Sequence, residues 1–263
     1  MKIAIAGKGG VGKTVIASGI AWSLARAGYR TLAIDADTSP NLALSLGLSP
    51  EEAARIVPVL EDDELIKLKT ETDYPGVYNL NFSVDDIVRD FSIATPAGVY
   101  LLVMGAVKSM GSGCACPGNS VIRALLHHLV VERDEAVVLD MEAGVEHLGR
   151  GTAEAVDWML VISDANKKSL MTAAAIANMA REAGISHVAL VGNRIENKAQ
   201  TEILTTFSEQ HELSMLEVVP FDAAVVRAGI DGSPILTLEG TPAFRAIEKI
   251  ARRLTGKGEG GKP

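Results

Sequence analysis

Apolar residues along this chain fall in short runs separated by longer amphipathic stretches, and the two kinds alternate almost from end to end. Residues 2–6, 31–34, 99–104, 136–139, 158–162, 188–191 and 216–219 are short and mostly aliphatic, which predicts strands buried on both faces. Between them, 15–27, 120–131, 167–183 and 199–210 repeat apolar residues at helical spacing. Such alternation predicts an α/β fold of three layers, a doubly wound and mostly parallel sheet with helices on both faces. Ligands of such sheets gather at the C-terminal strand ends. A last helix over 243–255 carries Phe244, Ile247, Ile250, Ala251 and Leu254 as an apolar stripe with basic residues opposite, and is expected to close the fold against the sheet.

One region breaks the rhythm. Residues 58–96 show no clean βα unit and include Glu61-Asp62-Asp63-Glu64 and Asp85-Asp86, so they are expected to form an irregular acidic insertion. Its surface is either simply solvated or a docking face for a partner protein. The expected organisation is a single domain over 1–255, with a disordered tail over 256–263 that is rich in glycine and lysine.

Composition narrows the classes. A chain of 263 residues can bury one large core. No stretch approaches the roughly 20 apolar residues of a membrane span, and Met1-Lys2 leads straight into the first strand, so a cytoplasmic protein is expected. A net charge of −8 argues against a nucleic-acid footprint, and no membrane partner is expected. The two cysteines share one tripeptide, which is no disulfide framework.

Gly7-Lys8-Gly9-Gly10-Val11-Gly12-Lys13-Thr14 fits the phosphate-loop pattern G-x-x-x-x-G-K-[ST], between an expected strand and an expected helix. Gly9, Gly10, Val11 and Gly12 would turn backbone N–H groups toward phosphate oxygens at a helix N-terminus. Lys13 would reach the β- and γ-phosphates of ATP, and the Thr14 hydroxyl would ligate Mg²⁺, with Val15 next along the loop. Asp140 closes the 136–139 run, where a carboxylate holds a Mg²⁺-bound water, and Gly144 suits a switch loop that approaches the γ-phosphate. Asp35 and Asp37 lie two apart beyond the 31–34 run and would point to one side in extended chain.

Lys8 adds a second lysine at the front of the loop, and this K-G-G-x-G-K-T form resembles the deviant Walker A phosphate loop. Proteins with that loop include the nitrogenase iron protein, the septum- and chromosome-positioning ATPases and several metallochaperone ATPases. The resemblance implies a homodimer in which Lys8 crosses to the nucleotide of the opposite subunit. It also implies that Asp37 orients the attacking water, with Asp35 supporting Mg²⁺ or the loop. By the same resemblance Asn193 meets the adenine edge, and Pro220 and Asp222 lie near the base. Two departures stand out: Val15 replaces a second hydroxyl residue, and Thr38-Ser39-Pro40 replaces an Asp-Pro start of the switch.

Cys114 and Cys116 lie in the glycine- and proline-rich stretch 111–119, ahead of a helix that Asn119 or Ser120 could cap, conditions that favour thiolate and metal ligation. Two thiolates are too few for a closed site, so two copies of the chain could supply four sulfurs at a two-fold axis, for Ni(II) or zinc. His127 and His128 are expected at a helix surface or core edge, His147 as a structural part of the second switch, and Met104 and Met110 as packing residues. The C-x-C, the deviant loop and the run 140–153 together resemble the CooC-type nickel-insertion accessory ATPases of carbon monoxide dehydrogenase and acetyl-CoA synthase. That resemblance implies an ATP-hydrolysing dimeric metallochaperone with one of those enzymes as client. The alternative is a positioning ATPase that binds membrane or DNA, for which the 243–255 helix would be the anchor. An iron–sulfur reductase like the nitrogenase iron protein fits less well, because that protein's cysteines are widely separated.

Overall fold

The computed structural model describes residues 1–37, 41–74, 77, 79, 85–105, 124, 126–129, 135–142 and 150–256. Eight strands form its sheet: β1 (Lys2–Gly7), β2 (Thr31–Ala36), β3 (Ile93–Ala94), β4 (Tyr100–Val103), β5 (Ala136–Met141), β6 (Trp158–Ser163), β7 (Val188–Ile195) and β8 (Ser214–Pro220). Their order is β3-β4-β2-β5-β1-β6-β7-β8, with every neighbouring pair parallel except β3 and β4. All seven apolar runs are strands, and the sheet is doubly wound about β1.

The inner strands are buried on both faces because successive side chains feed opposite layers. In β1, Ile3 and Ile5 join one apolar cluster while Ala4 and Ala6 join the other. The first cluster is closed by α1 (Lys13–Arg26), through Ile16, Ile20 and Leu24, and by the last helix, Pro242–Leu254, through Phe244, Ile247 and Ile250. These two helices approach closely: a Cβ on Gly19 would collide with Ile247, and the rings of Trp22 and Phe244 are 4.7 Å apart. Arg26 lies over Trp22 and pairs with Glu239 at 2.8 Å and Glu248 at 3.6 Å. The opposite layer holds the helix Lys167–Glu182, through Ala173, Ile176 and Ala177, and the helix Lys198–Gln210, through Leu204 and Phe207.

Three features depart from the pattern read above. The acidic stretch contains helices, Asp63–Thr70 and Asp85–Phe91, followed by the antiparallel edge strand β3. Asp62, one of its acidic residues, is a helix cap, accepting from the Leu65 N–H at 2.9 Å, which is why a charge run there is compatible with a helix start. A further helix, Ala223–Asp231, follows β8; its apolar residues on more than one face hid its periodicity. Of the 120–131 helix, residues 124 and 126–129 are described and helical, with His128 buried and His127 half-buried. Residues 257–263 of the expected tail lie outside the described residues.

Candidate nucleotide site

The parallel register brings three strand ends to one edge. β1 ends at Gly7, and Asp35 of β2 lies directly opposite Asp140 of β5. The chain leaves β1 through a tight loop in which Gly10 (φ 80°) and Gly12 (φ 94°) take left-handed backbone that residues with a Cβ avoid. Gly7 is packed too tightly for a side chain, since a Cβ would run into the Ile162 carbonyl oxygen. Gly12 caps α1 without any side-chain hydrogen bond, so the first N–H groups of the helix are left for an anion. Val11 N–H donates back to the Lys8 carbonyl at 3.3 Å and closes the turn.

Lys13 is 6% exposed, at the foot of the loop. Lys8 is half-buried, and its ammonium has no carboxylate partner among the described residues. Asp140 is 1% exposed, with both carboxylate oxygens buried and lacking a well-formed hydrogen bond. Burial pushes its pKa up to about 7; the nearby Thr14 hydroxyl and Lys13 ammonium oppose that rise, while the charges of Asp35 and Asp37 add to it. An orphaned carboxylate beside a threonine hydroxyl, facing a phosphate cradle, is the donor set for a hard divalent cation, and the residues fit Mg²⁺. Thr14 and Asp140 would hold it, and Mg²⁺ when bound supplies charge neutralisation of the phosphates.

Asp35 is equally buried, but its oxygens are occupied. Oδ2 accepts from the N–H groups of Leu42 at 2.9 Å and Asn41 at 3.0 Å, and Oδ1 from that of Asp37 at 3.3 Å. Burial raises its pKa to about 6, against the pull of those donors. Of the two roles open to Asp35, metal support or loop support, these bonds are those of a loop anchor. Asp37 is half-buried just past β2, close enough to Asp140 for its charge to be felt there.

Asn193, at the end of β7, is buried with its side-chain amide donating to the Val11 carbonyl at 2.6 Å, so it touches the loop itself. Pro220 ends β8. Asp222 caps the helix Ala223–Asp231 through Ala224 N–H at 2.9 Å and accepts from Ala243 N–H at 3.3 Å, tying two helix starts together. The loop with Val15, together with Asp35, Asp37, Asp140 and Asn193, therefore shares one rim, while Pro220 and Asp222 stand beyond β7. The contact of Asn193 with Val11 spans 182 positions and has no local sequence signal. Cys114, Cys116, Met110, Asn119, Ser120, Gly144, His147 and Thr38 to Pro40 lie outside the described residues.

A family model for the CobQ/CobB/MinD/ParA nucleotide binding domain matches residues 2–235. The chain belongs to this family of nucleotide-binding ATPases. Among its relatives, the carbon monoxide dehydrogenase accessory protein CooC of Rhodospirillum rubrum is 38% identical over 247 residues, covering 93% of this chain and 92% of that protein. An uncharacterized ATP-binding protein of Methanocaldococcus jannaschii is 38% identical over 253 residues, 95% of this chain and 96% of its own length. The fold is shared with the cell division protein MinD of Aquifex aeolicus, with a TM-score of 0.70 at 21% identity and 99% of each chain covered. ATP with Mg²⁺ fits such a nucleotide-binding domain, and the glycine-rich loop, buried lysine and strand-end carboxylates described above suit them. Among the described residues no helix is long and apolar enough to cross a membrane.

Proposed function

We propose that this ATPase is a dimeric metallochaperone that uses ATP to deliver Ni(II) to carbon monoxide dehydrogenase or acetyl-CoA synthase. The observation that carries the reading is the end-to-end likeness to a carbon monoxide dehydrogenase accessory protein, at 38% identity over 93% of the chain. In the proposed cycle ATP and Mg²⁺ close two copies face to face, and Lys8 of each reaches the nucleotide of the other. Asp37 orients the attacking water, and Cys114 and Cys116 of both copies supply four sulfurs to the metal. Lys13 and the loop N–H groups hold the phosphates, Asn193 and the Pro220–Asp222 segment face the base, and hydrolysis reopens the pair to release its cargo. Zinc competes for the same thiolates. ATP drives closure only by the margin with which it binds the closed pair better than the open one. The domain is taken as one unit over residues 1–255, and the protein is placed in the cytoplasm.

The positioning-ATPase alternative loses its main support. The apolar stripe that would enter a bilayer, Phe244, Ile247, Ile250, Ala251 and Leu254, is buried in the core of this fold.

The test is an anaerobic Ni(II) titration of the reduced protein, with size-exclusion mass recorded with and without ATP, beside the Cys114→Ser/Cys116→Ser variant. One metal per two chains, lost in the variant, is expected. Metal binding that is absent, or that persists unchanged in the variant, would overturn the shared-thiolate site.

A further inference from the structure

At the end of β7 the backbone adopts a conformation it would ordinarily avoid. The pairing of β7 with β8 slips between Gly192 and Ile195, and Arg194, an exposed residue, takes φ 59°. A side chain in that region crowds its own carbonyl, so a fold that keeps one there must hold it from outside. Asn193 is the residue just before the strained position. It is 7% exposed, and its Nδ2 donates to the Val11 carbonyl oxygen at 2.6 Å. Only the NH₂ end of the amide can face a carbonyl, so chemistry fixes its orientation. Gly12 lies against the same nitrogen, where a Cβ would collide with it.

We propose that Asn193 is a positioning residue for the phosphate loop, a latch from the rigid sheet that holds the Val11–Gly12 segment in its left-handed shape. Gly9, Gly10 and Gly12 make the loop able to wrap a phosphate but also costly to order, because glycine has the most conformational freedom to lose. A buried hydrogen bond from a central parallel layer pre-orders the loop, so that less of the binding free energy of the nucleotide is spent on shaping it. The latch acts through the loop and not through a base. It is therefore distinct from any contact of Asn193 with adenine, and it does not depend on the metal-delivery reading.

The test uses the full chain with Asn193→Ala and the near-isosteric Asn193→Asp, which keeps the shape but sets a carboxylate oxygen against the Val11 carbonyl. Hydrogen exchange is followed without nucleotide in peptides covering residues 7–16, with peptides from 198–210 as the control for global folding. Inhibition of ATP hydrolysis by magnesium tripolyphosphate, which has phosphates and no base, is measured alongside. The latch predicts loop exchange faster by about tenfold, the size of one buried hydrogen bond, with 198–210 unchanged. It also predicts that the tripolyphosphate inhibition constant rises several-fold together with the KM for ATP. Loop exchange equal to wild type would overturn the proposal, as would a raised KM for ATP with tripolyphosphate inhibition untouched, the mark of a base contact alone. Should Asn193→Ala fail to fold, the result in Asn193→Asp decides on its own.

Discussion

Replacing Asp140 by asparagine should stabilise the protein in the absence of Mg²⁺ while abolishing Mg²⁺-dependent ATP hydrolysis. The Asp140 carboxyl lies 1% exposed with neither oxygen properly bonded, and its pKa stands at about 7 in place of the ordinary 3.8. A folded-state pKa above the unfolded one means that the folded protein holds the extra proton. The associated stability is present in full below about pH 4 and is lost as pH rises through about 7. The distance between those two values corresponds to a ceiling of about 4 kcal/mol, reduced to about 1–3 kcal/mol by local water and relaxation. The substituted amide carries no charge to desolvate, so the stability difference between Asp140→Asn and wild type should be near zero at pH 4 and greatest above pH 7. Urea denaturation in EDTA from pH 5 to 8.5 reads that difference, with carboxylates remote from the rim cancelling between the two proteins. Adding Mg²⁺ and ATP should raise the midpoint of the wild type by mass action, and that of the variant by less, since it keeps the phosphate cradle but loses a cation ligand. A variant less stable than wild type at pH 8, or a gap that does not widen with pH, would refute the view that this carboxylate is held ready for a cation at the expense of the fold.

Two further outcomes follow from the same geometry. If Lys8 acts in the proposed dimer, Lys8→Ala should lower ATP turnover by about 10²-fold or more while leaving nucleotide binding to the single chain largely intact, since it would remove a transition-state charge and not the cradle; equilibrium ATP binding beside single-turnover hydrolysis checks this, and an equal loss in both would tie Lys8 to the cradle. Arg194→Gly should gain up to about 1 kcal/mol in denaturation midpoint, because relief of a left-handed side chain outweighs the added glycine entropy; a loss of similar size would show that φ 59° is not strained here.

Much of the fold was legible because parallel strands buried on both faces must be aliphatic runs, and all seven runs are strands. The phosphate loop was legible for a related reason, since left-handed backbone at positions 10 and 12 admits little but glycine. The failures have a common cause as well. The Ala223–Asp231 helix and β3 were missed because short or two-sided elements carry no clean period, and the helices Asp63–Thr70 and Asp85–Phe91 because their acidic starts look like solvated loop. The anchoring bonds of Asp35 and the contact of Asn193 with Val11 are tertiary facts. No spacing of residues encodes that Asp35 meets Asn41 and Leu42, or that Asn193 reaches back to the first loop.

The charge balance at the rim bears on why this site should need a second copy. Asp35, Asp37 and Asp140 share this rim with one buried lysine, Lys13, and burial first, with carboxylate repulsion adding to it, raises the pKa values of Asp35 and Asp140. ATP would add about four negative charges to a region already rich in carboxylate, and the phosphoryl-transfer transition state spreads that charge without reducing it. Mg²⁺ at Thr14 and Asp140 offsets only part of it. The other lysine of the loop, Lys8, has no carboxylate partner among the described residues of its own chain and stands at the front of the loop. A second chain facing the first would bring another Lys8 to each site at the moment the phosphates are most exposed. Hydrolysis would then wait on assembly, so a metal held between two copies would be released only after both have closed around nucleotide.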